Sequence, residues 1–91
     1  MMFTVGYTED AEKSISRFKK SNPAAFNKLE KFVAELHEHP RTGTGHPEPL
    51  AKGNSVTYSR TITKKDRLVY DVYDDELHVE VLSVEGHYKD K

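Results

Sequence analysis

Five side chains of this chain have the types needed for acid–base chemistry on a phosphodiester. A carboxylate lies between two prolines at Glu48, and two arginines follow at Arg60 and Arg67. A histidine and a tyrosine, His87 and Tyr88, lie near the C-terminus. A base can take a proton from a ribose 2′-hydroxyl, an arginine can hold the phosphate, and an acid can protonate the leaving oxygen. This set of side chains predicts cleavage of RNA without a metal.

The length and composition favour one small domain. The 91 residues suffice for a single sheet with a helical layer, and the absence of cysteine excludes disulfides and thiolate metal sites. His37, His39, His46 and Glu48 lack the spacing of a structural metal motif, so we expect neither a metal nor a cofactor. Membrane-spanning and signal-peptide patterns are absent from the sequence. We therefore expect one domain over residues 1–91, a cytoplasmic location and no membrane partner.

The charges are unevenly distributed, although the formal net charge is only −1. Residues 51–67 carry five cations and one anion, whereas residues 68–91 carry seven anions and two cations. A polarised surface can bind phosphate locally despite a neutral total. Charge runs of this kind are also typical of solvated strands and turns, so the charge pattern alone leaves both interpretations open.

Apolar periodicity and capping residues predict two helices after a short first strand. Residues 2–6 are a strand candidate, and Thr8 can cap a helix that runs to about Lys20. The Asn-Pro dipeptide at 22–23 starts a second helix, with asparagine as the N-cap and proline in the first turn, and Pro40 stops it. We expect the two helices to form a hairpin that lies on the sheet.

Three strands are predicted after an irregular stretch over residues 41–54. They cover residues 56–63, 67–73 and 77–84, and the charged clusters between them have the composition of turns. Strands joined by such short turns form an antiparallel meander. The predicted order is β-α-α-β-β-β, which is an α+β fold with the helical hairpin packed on a small, mostly antiparallel sheet.

Four segments resemble the YoeB/Txe branch of the RelE-type toxins of bacterial toxin–antitoxin pairs. In register, they are residues 41–50, 58–63, 66–70 and 86–88. The resemblance extends to the element pattern of the whole chain and implies a RelE-like fold. It also implies a ribosome-dependent mRNA endonuclease that cuts in the decoding site and inhibits translation. The implied partners are the ribosome, mRNA, a cognate antitoxin of the YefM/Phd or a related type, and a second copy in a homodimer.

The resemblance assigns a role to each candidate catalytic residue. Glu48 is the general base, Arg67 stabilises the pentavalent phosphate, and His87 with Tyr88 supplies the acid and orients the nucleotide. A histidine pKa of about 6.5 suits an acid at working pH. Taken singly, a glutamate in a rigid loop, a strand arginine or a terminal histidine is more often an ordinary surface residue. The four segments in register favour the catalytic interpretation.

Other residues are candidates for contact with RNA. Arg60 is a candidate for a second phosphate clamp, and Tyr58 for stacking on a base. Tyr70 alternates with apolar residues of its strand, which favours a place in the core. The remaining predicted RNA-binding residues are His46, Lys52, Lys64 and Lys65.

Three positions depart from the pattern of the relatives. Thr61 stands where many have a second arginine, Ala51 where many have lysine, and Asp66 where many have histidine. An anion at Asp66 can pair with Arg67 and lower its reach toward phosphate. These departures leave open a domain that binds the ribosome or its antitoxin but has lost catalysis. A separate alternative is a non-catalytic toxin of the same fold that inhibits DNA gyrase, against which the catalytic motifs argue.

Overall fold

A computed structural model describes residues 2–50 and 56–84, which form two helices packed on a five-stranded sheet. The elements are β1 (Thr4–Tyr7), α1 (Glu9–Ser21), α2 (Pro23–Leu36), β2 (Glu48–Pro49), β3 (Thr57–Thr61), β4 (Arg67–Tyr73) and β5 (His78–Ser83). The predicted α+β class and element order are confirmed. The two-residue strand β2 is an addition, because the sequence analysis assigns it to an irregular stretch.

Capping side chains explain where both helices begin. The Thr8 hydroxyl accepts a hydrogen bond from the Ala11 amide at 3.1 Å, and the Asn22 side-chain oxygen accepts one from the Ala25 amide at 3.2 Å. Each cap satisfies an amide that has no partner within its helix. Both predicted caps are confirmed, and α2 ends at Leu36, the last residue of its apolar stripe. Neither helix is long and apolar enough to cross a membrane in the part of the chain described.

The strand order across the sheet is β1-β5-β4-β3-β2. Strands β3, β4 and β5 form the predicted antiparallel meander, and β2 extends it by pairing antiparallel with β3. Strand β1 pairs parallel with β5, which makes the sheet mixed but mostly antiparallel, as predicted.

The two faces of the sheet differ because side chains alternate along each strand. One face packs on the helices. The core between the two layers includes Leu68, Tyr70 and Val72 of β4 and Leu29 and Phe32 of α2. The prediction that Tyr70 belongs to the core is confirmed. The opposite side, called here the outer face, is defined on β3 and β4 by Thr57, Ser59, Thr61, Arg67, Val69 and Asp71.

Candidate active site

Glu48 is positioned by strand β2 at the edge of the sheet. It pairs with Ser59 of β3, and the next residue but one, Leu50, donates its amide to the Thr57 carbonyl at 2.9 Å. A proline on each side of Glu48 restricts its backbone further. The side chain of Glu48 is 61% exposed, so a rigid backbone presents an accessible carboxylate beside the outer face.

Arg67 reaches Glu48 across strand β3. Its Nη1 atom lies 3.8 Å from Oε2 of Glu48 and 3.4 Å from the hydroxyl of Ser59. Residue 67 pairs with Thr61, two positions from Ser59, and therefore lies on the same face. A loose, partly exposed ion pair is weak, so a phosphate can replace the carboxylate as the arginine's partner. The structure thus brings together the predicted base and the predicted phosphate ligand.

Asp66 takes part in the turn between β3 and β4. Its carboxylate accepts a hydrogen bond from the Thr63 hydroxyl at 2.9 Å, and the same hydroxyl accepts the amides of Lys65 and Asp66 at 3.1 Å each. The exposed side chains of Lys64 and Lys65 lie in this turn, close in sequence to Arg67. The aspartate therefore has a role in holding the turn that precedes Arg67.

Arg60 is buried, contrary to its predicted contact with RNA. Its relative exposure is 0%, and strand alternation points it toward the helices rather than to the outer face. Its Nη1 atom pairs with Glu35 at 2.5 Å, and its Nε atom donates to the Tyr70 hydroxyl at 3.1 Å. Its Nη2 atom donates to the carbonyls of His39 and Thr42 at 3.1 and 2.8 Å. A guanidinium with these internal partners has no access to a phosphate, so the prediction is wrong for this residue.

Tyr58 lies at the margin of the core. Its ring stacks on Tyr70 with centroids 6.3 Å apart, and the Arg41 guanidinium lies 5.6 Å from its centre. Tyr58 therefore occupies the helix-facing side, away from Glu48 and Arg67 on the outer face. His46, two residues before Glu48, is exposed and has a positive φ of 54°.

Lys52, His87 and Tyr88 lie outside the described residues, as does Ala51. Their assigned roles stay predictions.

Two of the histidines considered for a metal site, His37 and His39, have other partners. Nδ1 of His37 lies 2.8 Å from the Phe3 carbonyl, and Nδ1 of His39 lies 3.0 Å from the Thr42 carbonyl. Over residues 2–50 and 56–84, no three metal-ligating side chains come together.

Glu35, at the end of α2, is the partner of Arg60 and was missed by the sequence analysis. It accepts hydrogen bonds from the amide and the hydroxyl of Thr44, at 3.0 and 2.8 Å, and pairs with Arg60. Burial acts to raise the pKa of Glu35, but the bonds from Thr44 and Arg60 outweigh it and hold the pKa below its usual value. The position of Glu35 is the signal that could have indicated its role. A carboxylate in the last turn of a helix interacts unfavourably with the helix dipole, which suggests that it has a cationic partner outside that helix.

A second ion pair connects the segment after α2 to the turn after β4. Arg41 donates to both carboxylate oxygens of Asp74, at 2.9 and 2.7 Å. The hydrogen bond from Arg41 lowers the pKa of Asp74, and the same bond raises the pKa of Arg41. This pair is partly exposed, in contrast to the buried pair of Glu35 and Arg60.

The fold matches solved structures of bacterial toxins. The YoeB dimer from Staphylococcus aureus superposes with a TM-score of 0.82 at 25% identity, covering 97% of this chain and 100% of that one. A mutant of the Escherichia coli toxin RelE in the free state superposes with a TM-score of 0.70 at 28% identity, covering 94% of this chain and 84% of that one. Two helices on one side of a mostly antiparallel sheet are therefore the fold of the RelE class of toxins.

The sequence comparisons narrow this class. The model of the YoeB-like toxins of bacterial type II toxin–antitoxin systems matches residues 7–88. Toxin RelK of Mycobacterium tuberculosis is 31% identical over 87 residues, covering 96% of this chain and 100% of that protein. Toxin YoeB of E. coli K12 is 31% identical over 71 residues, covering 78% and 84%. The chain belongs to the YoeB-like toxin family, which confirms the resemblance seen in its segments.

Proposed function

We propose that the protein is a ribosome-dependent mRNA endonuclease that inhibits translation as the toxin of a toxin–antitoxin pair. The observation that carries the proposal is the 3.8 Å contact between Glu48 and Arg67 on the outer face. A 2′-hydroxyl and the phosphate that follows it in RNA are adjacent groups. A base and a phosphate ligand held side by side fit these two groups at once.

The proposed reaction is an in-line transesterification. Glu48 takes the proton of the 2′-hydroxyl, and the resulting oxygen attacks the adjacent phosphorus. Arg67 stabilises the charge on the pentavalent phosphate, His87 protonates the departing 5′-oxygen, and Tyr88 orients the nucleotide. The products are a 2′,3′-cyclic phosphate and a 5′-hydroxyl, and no step needs a metal. A positioned base contributes about 10² to 10⁴ in rate, and electrostatic stabilisation of the transition state about 10² to 10³.

The exposure of the site supports a dependence on the ribosome. The side chains of Glu48 and Arg67 are 61% and 34% exposed, so residues 2–50 and 56–84 by themselves enclose little of a substrate. In-line attack needs the reacting atoms to be held in a near-attack geometry, which depends on fixing the RNA backbone. We propose that the ribosome supplies this constraint. His46, Lys52, Lys64 and Lys65 remain the proposed RNA contacts, and the location that goes with this substrate is the cytoplasm.

The proposed partner is an antitoxin that covers the site. The YoeB–YefM complex from S. aureus superposes on this chain with a TM-score of 0.78 at 26% identity. By analogy, we propose a YefM-like antitoxin whose acidic, partly disordered segment folds over Arg67 on binding. A homodimer is the second proposed assembly, by analogy with the YoeB dimer from the same organism.

The test is cleavage of a defined mRNA on programmed ribosomes, mapped by primer extension. Glu48→Gln is expected to abolish the cut, while Glu9→Gln, at an exposed glutamate of α1, is expected to leave it intact. A single 2′-O-methyl group at the cut position must also block cleavage, because it removes the nucleophile. Cleavage that survives both changes would refute the mechanism. Ribosome binding without cleavage indicates a catalytically dead binder, and gyrase inhibition without ribosome binding indicates the gyrase-type toxin.

A further inference from the structure

We propose that the buried ion pair of Glu35 and Arg60 positions Glu48 for proton transfer. Both residues lie on the helix-facing side of the sheet, so neither reaches a substrate on the outer face. They act as positioning residues through the segment 39–45, called here the clamp loop, which leads from α2 toward Glu48. The catalytic part of this inference rests on the proposed function.

Arg60 holds the clamp loop by its backbone. Its Nη2 atom donates to the carbonyls of His39 and Thr42, at 3.1 and 2.8 Å, and its Nη1 atom donates to the carbonyl of Thr44 at 3.3 Å. Hydrogen bonds from a charged donor are stronger than neutral ones, and the planar guanidinium fixes their directions. Nη2 also donates to the Pro40 carbonyl at 3.4 Å, so one side chain holds the loop at four carbonyls along its length.

Glu35 completes the clamp from the end of α2. A fully buried guanidinium needs a counter-charge, and the Glu35 carboxylate supplies it at 2.5 Å. The same carboxylate accepts both the amide and the hydroxyl of Thr44. Thr44 is therefore bound on its amide, its hydroxyl and its carbonyl, and it lies four residues before Glu48.

The short connection from the clamp loop to Glu48 transmits this constraint. The Gly45 carbonyl accepts the Thr61 amide at 2.8 Å, and Glu48 pairs with Ser59. Three consecutive residues of β3 therefore hold the segment: Ser59 and Thr61 by their backbones, and Arg60 by its side chain. Strand β3 is regular, so its residues keep fixed positions. A looser clamp loop therefore shifts the Glu48 carboxylate relative to Arg67. A displacement of about 1 Å at a reacting group can cost about 10² in rate.

The structural part is tested with Glu35→Gln by native-state hydrogen exchange. The reporters are the amides of Leu50 and Thr61, which bond the Thr57 and Gly45 carbonyls. We expect both to accelerate at least tenfold more than the Thr8 amide, which bonds the Val81 carbonyl of β5 and reports the global loss of stability. Unchanged exchange at Leu50 and Thr61 would overturn the proposal, and equal acceleration at Thr8 would too, because it would indicate global destabilisation instead.

The catalytic part is tested on programmed ribosomes, at a temperature where circular dichroism shows the variants fully folded. Glu35→Gln is expected to lower kcat about 10- to 100-fold with KM within about twofold. Phe18→Leu, in the α1 core, serves as a destabilised control that keeps the wild-type kcat. Wild-type turnover by folded Glu35→Gln overturns the positioning role.

A second variant covers the case in which Glu35→Gln does not fold. Thr44→Val, at an exposed position, removes one bond to Glu35 and is expected to lower kcat about three- to tenfold; an unchanged kcat counts against the proposal. Absence of cleavage by the wild-type protein refutes the proposed function instead. In that case, hydrogen exchange in Thr44→Val still decides whether the pair holds the backbone at Glu48.

Discussion

Thr61 lies directly opposite Arg67 in the ladder between β3 and β4, on the outer face. The resemblance gives many relatives an arginine at this position. A guanidinium there would add a positive charge beside Arg67, whereas the threonine leaves less charge on the side proposed to bind phosphate.

The first prediction concerns this position. Thr61→Arg is expected to increase kcat/KM on programmed ribosomes about three- to tenfold, because a second cation stabilises the phosphate in the transition state. Measurement at two salt concentrations checks the cause, since an added phosphate contact makes binding more salt-sensitive. Thr57→Arg, on the same face but opposite Asp71, is the matched control and is expected to give no gain. An equal gain in both variants would contradict a local effect at Arg67.

The second prediction concerns the identity of the cation at position 67. Arg67→Lys is expected to lower kcat about 100-fold with little change in stability, because an ammonium cannot bridge two phosphate oxygens as a guanidinium can. The side chain is partly exposed and its ion pair is loose, so thermal unfolding should shift little. Lys13→Arg, on the exposed side of α1, controls for a Lys–Arg exchange far from the site. Retained turnover in Arg67→Lys would mean that one positive charge, without the bridging geometry of a guanidinium, is sufficient for cleavage.

The third prediction concerns the pH dependence of stability. The pKa of Glu35 is held below its usual value of 4.5, so the folded state favours the ionised form. The contribution of Glu35 to the free energy of unfolding is present above about pH 4.5. It is lost as the pH falls through the lowered pKa of the folded state. At pH 7 we expect Glu35→Gln to cost about 3 kcal/mol, since removing one partner of a buried pair leaves a buried charge. Urea unfolding from pH 7 to 3 should show the two proteins converging at the acid end.

Asp74→Asn is the comparison for that experiment. The pKa of Asp74 is lowered by Arg41 in the same direction, but this pair is exposed and screened by solvent. Its removal is expected to change the unfolding curve much less at every pH. A pH-independent difference between wild type and Glu35→Gln would contradict the assignment of the charge to Glu35.

The fourth prediction concerns Gly45. Its φ is +82°, and a Cβ atom added there would lie 2.5 Å from Cζ of Phe32. Gly45→Ala is therefore expected to destabilise the fold by about 2 kcal/mol and to lower turnover, because the left-handed backbone and the contact are both unfavourable. Thr42→Ala, in the same loop, keeps the backbone carbonyl that Arg60 binds and should be nearly neutral. Thermal unfolding of both variants tests this prediction, which fails if Gly45→Ala is as stable as Thr42→Ala.

Local signals in the sequence predicted much of the fold. The caps at Thr8 and Asn22 depend on neighbouring residues alone, and the meander depends on short turns between alternating strands. Strand β2 was missed because it consists of two residues, Glu48 and Pro49, which are too few to show a periodicity. Its existence depends on pairing with β3, which is a tertiary interaction.

The candidate site was predicted less completely, for a similar reason. The resemblance assigned Glu48 and Arg67 to one site, and their side chains lie 3.8 Å apart. The burial of Arg60 was missed because the prediction was based on residue type alone. Tyr58 pairs with Tyr70, and Arg60 follows Tyr58 by two residues on the same strand, so alternation places Arg60 on the buried face. Glu35 has no motif, and its role depends on a contact 25 residues away in sequence.

The prolines around Glu48 also affect how the protein meets other chains. The Leu50 amide points inward to β3, so by alternation the amides of residues 47 and 49 would point outward from the sheet edge. Both residues are prolines and have no amide hydrogen to donate. A further strand therefore finds no donors at residues 47 and 49, which discourages edge-to-edge aggregation there. The Glu48 carboxylate thus lies on a border of the sheet where two prolines disfavour the addition of another strand.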